Sequence, residues 1–284
     1  MSRSRSDALL SWALRLCAAV AALIVALIAA FLVLEALPAL RTVGLLRLAT
    51  DASWHPTQDL YNQLPMLWGT LFATAGAVLL ATPLGIAAAV FCHDYAPPWL
   101  ARIYRRLIEL LAGIPSVVYG LWGLVVLVPV IARLRPPGPS LLAGILVLTL
   151  MILPTIALSA DAALASVPAE LRRTAAALGL SRWATVRGVL LPAARSGLGT
   201  GVLLQVGRAL GETMAILMVC GNQVQTPHSP FDPVRTLTAN IALEMAYATG
   251  GHRSALFVSG LLLLLLITAL VAAAEALSRR PLHA

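Results

Sequence analysis

Two ionisable side chains stand where lipid is the expected solvent. In the stretch GRALGETMAILMVCGN, residues 207–222, Arg208 and Glu212 interrupt an otherwise apolar run. Four residues apart, they share one face of a helical run, with Cβ atoms roughly 5–6 Å apart. A charge at the bilayer centre costs about 2.5–3.5 kcal/mol on insertion scales, so something must compensate both. Two chemistries fit. Either the pair neutralises itself and packs against a neighbouring span, or it lines a polar pathway. Arginine, always charged and planar, suits the oxygens of an anion in such a pathway. Gly207, Ala209 and Gly211 give the stretch small residues that let another helix approach closely.

The rest of the chain must place this stretch in a membrane. Of 284 residues, 60% are hydrophobic and 11% charged, against about 25% charged in soluble domains. The net charge of +8 is carried by arginine, since lysine is absent. Those arginines sit between oily runs and form no basic stripe, which argues against nucleic-acid binding. Charge-free runs at 16–34, 60–92, 110–132, 136–160 and 254–274, with the run 196–222 that holds the pair, each approach the ~20 residues a spanning helix needs. The expectation is an all-α integral membrane protein of six transmembrane helices. The basic, then apolar N-terminus is read as an uncleaved first span. With the N-terminus in the cytoplasm, 13 arginines fall inside and 6 outside, Arg208 lying within a span; the positive-inside rule then places both termini in the cytoplasm.

Other chemistry is sparse. Cys17, Cys92 and Cys220 are isolated and read as packing residues, with no metal or disulfide spacing. No metal-ligand set or nucleophile–base arrangement appears within the spans, and the five histidines fall at loops or ends, so an enzyme using Glu212 or Glu109 has little support. Gly113 and Pro115 are expected to bend the third helix as a gate or an ordinary kink. Glu109 is expected to pair with Arg105 or Arg106. The outer segments 38–63 and 223–252 read as contact surfaces or plain connectors, and Glu244 within the second as a solvated residue or a partner contact.

The longest inner segment, 161–195, is the most structured. Ser166 is expected to cap a helix carrying Leu171, Ala175 and Leu178 as an apolar stripe, ended by Gly179. A second stripe, Trp183, Val186 and Leu190, leads to Pro192. Such a knob either lies on the bilayer or projects to meet a partner. Its pattern resembles the cytoplasmic loop of ABC importer permeases: Glu-Ala-Ala, three residues, Gly, nine residues, Ile, one residue, Leu-Pro. Here it falls on Arg173-Thr174-Ala175, Gly179, Val189 and Leu191-Pro192. Arg173 replaces the usual glutamate and Thr174 the usual alanine.

Three further stretches, LPMLWGTL at 64–71, ELLAGIPSVVYGLWGLVVLVP at 109–129 and RALGETMA at 208–215, resemble phosphate-importer permeases of the PstC type. Met214-Ala215 after Thr213 favours that type over the sister PstA type. The resemblance implies a type I ABC importer permease fold, with an N-terminal segment 1–63, a five-span core 64–277 and a tail 278–284. It implies a non-catalytic permease of a bacterial inner membrane, importing phosphate or, alternatively, another oxyanion such as molybdate or sulfate. A PstA-like permease, a PstB-like ATPase dimer and a PstS-like binding protein would be its partners. No cofactor is expected on this chain; ATP and Mg would be used by the ATPase, since no Walker sequence occurs here. Leu171, Arg173, Ala175, Leu178, Gly179, Leu191 and Pro192 would couple to that ATPase. Arg208 would meet phosphate, with Glu212 moderating its hold and accepting a bond from a protonated phosphate oxygen.

Overall fold

A computed structural model describes residues 5–278. Arg3, Arg279, Arg280 and the tail beyond Ser278 lie outside the described residues. Among those described, six helical stretches are long and apolar enough to cross a membrane: Leu9–Thr42, Leu64–Tyr95, Ser116–Leu134, Leu141–Ala165, Arg182–Leu210 and Gly250–Ala273. All six expected spans are present, with shifted boundaries.

The chain begins with α1 (Arg5–Thr42) and the short α2 (Leu45–Thr50), then a two-stranded hairpin, β1 (Trp54–His55) and β2 (Leu60–Tyr61). The second span is α3 (Leu64–Val90), closed by a π-helical turn at Phe91–Tyr95. α4 (Pro98–Ala112) precedes the third span, made of α5 (Ser116–Trp122), a π turn and α6 (Val128–Leu134). α7 (Leu141–Ala165) is the fourth span. α8 (Ala169–Ala177) forms the knob, and α9 (Arg182–Thr185) runs through a π turn into α10 (Leu191–Leu210). α11 (Met214–Val219), α12 (Leu237–Glu244) and α13 (Gly250–Ser278) complete the order.

α7 is the central post. Most of its length is buried, whereas the apolar centre of α1 faces outward along its length. Its largest neighbour is α3, and it also packs on α10, α4 and α11. The α3 seam repeats small residues every fourth position: Ala73, Ala77, Ala81, Gly85 and Ala89 are all buried. In lipid, helices gain little from hydrophobic burial against one another, so close approach over small residues carries the packing. A Cβ added at Gly85 would lie 2.7 Å from the Ile156 Cγ2 atom. Only hydrogen fits there.

Several boundaries depart from expectation for identifiable reasons. The third span begins at Ser116, not 110, because Gly113 caps α4 and Pro115 caps α5. These two residues separate two helices rather than bending one. The fourth helix runs on to Ala165, so Ser166 is its C-cap, with Oγ donating to the Ala163 carbonyl. Trp183, Val186 and Leu190 belong to the continuous fifth helix instead of a separate second helix of the knob.

Substituting Gly85 by Val should therefore lower the thermal midpoint of the detergent-solubilised chain, by the roughly 1–3 kcal/mol that overpacking costs. Gly199→Ala in α10, where an added Cβ meets nothing within 4 Å and alanine favours the helix, should not lower it. Equal midpoints for the two variants would contradict the seam.

Candidate functional site

The fifth helix stops beside Arg208. α10 ends at Leu210, Gly211 caps it, and α11 starts at Met214. Arg208 thus lies in the last helical turn, where a cation opposes the negative end of the helix dipole, and Glu212 lies in the break. They are not neighbours on one continuous helix, and no Arg208–Glu212 ion pair exists among the described residues. The Arg208 side chain is exposed and without an ion-pair partner there, and its charge reaches the Tyr119 phenol of the third span. Glu212 is half-buried and works locally: its Oε1 accepts from Ala215 N at 3.1 Å, satisfying an amide at the start of α11.

The break is held from two sides. Thr238 at the start of α12 donates to the Glu212 carbonyl at 2.8 Å, and the next contact back, Leu237 N to Thr70 Oγ1 at 3.0 Å, joins α12 to α3. On the third span, Gly120 lets α5 come against α11: an added Cβ there would lie 2.7 Å from the Ala215 Cα. One helical turn before Arg208, Gln205 accepts from Thr155 of α7 at 2.7 Å, supplying a second polar position on the fifth span. Of the small residues, Ala209 is buried, while a Cβ at Gly207 would meet nothing within 4 Å.

The outer segment 223–252 is more than a connector. α12 dips into the bundle with Leu237, Thr238, Ala239, Asn240 and Glu244 buried. Glu244, expected to be solvated or to meet a partner, is only 7% exposed. It accepts from Arg235 at 2.6 Å and Trp54 Nε1 at 2.9 Å, and contacts His252 Nε2 at 2.8 Å. Arg235 also donates to the Asn222 carbonyl at 2.9 Å. This cluster fastens the hairpin to the outer segment.

At the opposite end, the knob presents apolar side chains outward. Ala175 is buried, but Leu171, Leu178 and Trp183 are exposed, and so is Arg173. Gly179 adopts φ +70, a left-handed turn that ends α8. Leu191 is half-buried and Pro192 is in the first turn of α10. Arg172, not singled out in the sequence, ties the knob down: it pairs with Asp94 and contacts His93 Nδ1 at 3.1 Å. Beside it, Arg105 binds Asp161 through two bonds of 2.9 and 3.0 Å, which raises the arginine pKa further. Asp161 thus takes the role expected of Glu109, which is exposed and without an ion pair among the described residues.

The comparisons agree with this architecture. The model of the binding-protein-dependent transport system inner membrane component family matches residues 81–283. The chain is 48% identical over 224 residues to the probable ABC transporter permease protein YqgH of Bacillus subtilis, covering 76% of this chain and 72% of that one. It is 37% identical to the phosphate transport system permease protein PstC of Xylella fastidiosa, covering 79% and 76%. It is also 37% identical to PstC of Haemophilus influenzae, covering 77% and 76%. Among solved structures, an inward-facing MetNI methionine ABC transporter aligns with TM-score 0.65 at 20% identity, over 80% of this chain and 98% of that one. A bacterial ABC transporter for alginate import aligns with TM-score 0.61 at 15% identity, over 84% and 88%. At such identities the structural likeness establishes the fold alone; the family match and the permease relatives make the chain a multi-pass ABC importer permease, as the loop pattern implied.

The Arg172 tether makes a local prediction. Arg172→Gln should speed amide exchange across Ala169–Ala177 by on the order of tenfold, the scale of losing a charged hydrogen bond, with exchange in α7 unaltered. Identical exchange in α8 would show that the tether does not hold the knob.

Proposed function

This chain belongs to the binding-protein-dependent transport system inner membrane component family, and we propose that it is the permease subunit through which an ATP-driven importer moves inorganic phosphate into the cytoplasm. The observation that carries the reading is Arg208, a cation without an ion-pair partner among the described residues, at the broken end of the fifth span. Such a cation lowers the desolvation cost of a passing anion, and its planar fork matches phosphate oxygens. Glu212 tempers that attraction, because a site that holds its ion too firmly cannot release it. The relatives named PstC favour phosphate as the anion.

As an importer permease it works with ATP-hydrolysing and substrate-delivering subunits. We assign these as a PstA-like second permease, a PstB-like ATPase dimer that uses ATP and Mg, and a PstS-like binding protein outside the membrane. No cofactor is assigned to this chain. The knob with Leu171, Arg173, Ala175, Leu178 and Gly179, and the helix start at Leu191 and Pro192, would dock the ATPase. Its exposed apolar side chains support that role. Both termini then lie in the cytoplasm of a bacterial inner membrane. Gly113 and Pro115, between α4 and α5, supply the joint at which the third span can swing.

The test is phosphate uptake by the reconstituted complex. Arg208→Gln should reduce ATP-dependent uptake about ten- to a hundredfold, the scale of losing one charged hydrogen bond, with assembly intact. Glu212→Gln keeps an acceptor for Ala215 N, so any change in uptake there reports on charge alone. Normal uptake by the Arg208 variant would refute the pathway role. Equal competition by sulfate or molybdate would refute phosphate selectivity.

A further inference from the structure

A second arginine cluster lies away from the fifth span. Between the π turn that closes the second span and the basic flank of α4 is a cleft of about 580 Å3, lined by Cys92, His93, Arg102, Arg105, Arg106 and Glu109 among others. Arg105 is committed to Asp161. Arg102 and Arg106 are exposed, one helical turn apart, and have no hydrogen bond or ion pair among the described residues. His93 Nδ1 faces Arg172 Nη2 at 3.1 Å. The cleft therefore offers two uncommitted guanidinium groups against a single carboxylate, Glu109.

α4 itself says where this cleft sits. It joins the second and third spans, and at 15 residues it is about 22 Å long, too short to cross a bilayer core of about 30 Å. Its other flank exposes Trp99, Ile103, Leu107, Leu110 and Leu111. A helix with arginines on one flank and tryptophan and leucines on the other lies in the membrane interface, apolar flank among acyl chains and basic flank at headgroup level. Ile103 and Leu110 lie three and four residues from Arg106, neighbouring positions on the helix surface, so one molecule with a phosphate and a hydrocarbon tail touches both flanks together.

We propose that this cleft is a binding site for an anionic phospholipid, its phosphodiester held by Arg102 and Arg106 and its acyl chains lying along Trp99 and Ile103. The site is separate from the Arg208 break and stands whether or not that break carries phosphate. It lies beside the Arg172–Asp94 tether, so an occupying lipid borders the root of the knob. The apolar flank favours a lipid over free phosphate, which has nothing to place there.

Native mass spectrometry of the full-length chain with phosphatidylglycerol or phosphatidylcholine tests it. Phosphatidylglycerol should be retained preferentially. Arg102→Gln and Arg106→Gln should each weaken retention about fivefold, the share of one basic residue near an anionic surface, and Arg133→Gln, at the far end of the third span, should not. Millimolar inorganic phosphate should leave retention unchanged. Equal retention of the two lipids, undiminished retention by the α4 variants, or displacement by inorganic phosphate would each overturn the proposal. A second measurement needs no arginine variant: phosphatidylglycerol with brominated chains should quench the Trp99 emission, read as the difference from Trp99→Phe, more than brominated phosphatidylcholine at equal mole fraction. Equal quenching also overturns it.

Discussion

Backbone polar groups inside an apolar bundle must find partners within the protein, because lipid supplies none. The fifth span breaks this continuity at Gly211–Thr213, between the buried pairs Ala209–Leu210 and Ala215–Ile216. The gap is tolerated because other residues close it. The Glu212 carboxylate takes the Ala215 amide, and Thr238 donates to the Glu212 carbonyl. That second bond requires α12 to enter the bundle, and α12 is held there by Thr70 and by the Glu244 cluster. The hairpin, α12 and the charged stretch are thus one construction, with the break at its far end.

Arg208 can stay uncommitted only because Glu212 is occupied elsewhere. Had the helix continued, the two charges would have faced each other at one-turn spacing and neutralised. Stopping the helix at Gly211 turns Glu212 toward the start of α11 and leaves the guanidinium exposed. The same stretch therefore places its two charges in different surroundings. Glu212 closes the backbone at the start of α11, and the Arg208 guanidinium stays exposed.

What could be read in the sequence follows from what is local. Hydrophobic length marked all six spans, and the loop spacing marked the importer fold. The break was hidden because Arg208 and Glu212, at one-turn spacing, read as one face of an unbroken helix, and nothing local distinguishes a helix end from a tolerated glycine at Gly211. The start of the third span was misplaced for the same reason: Leu110–Ala112 is as apolar as Val117–Val118, so the joint at Gly113–Pro115 looked like a kink. Glu244 was unreadable in another way. Its partners Trp54 and Arg235 come from segments 190 and 9 residues away, and only the folded chain brings a buried carboxylate to them. Asp161 and Arg172 are similar cases, each ion pair joining residues more than fifty positions apart.

One continuous element joins the two ends that matter. From Arg182 beside the knob to Leu210 at the break, the fifth span runs 29 residues without interruption, about 44 Å of helix. Its base is packed into the knob, with Val186 and Leu190 buried beside Ala163 and Leu164 of α7. Near its tip, Gln205 is bonded to Thr155 of the same α7. A helix fixed at both ends to one central post moves with that post rather than sliding past it. The third span, set off from α4 at Gly113–Pro115, packs against the same post: a Cβ at Gly123 would lie 2.6 Å from the Val147 Cγ2 atom of α7. Gly120 brings the third span equally close to α11, where an added Cβ would lie 2.7 Å from the Ala215 Cα. Knob and break are thus bridged by one helix pair, α7 with the fifth span, and the third span meets both α7 and α11 through close glycine contacts.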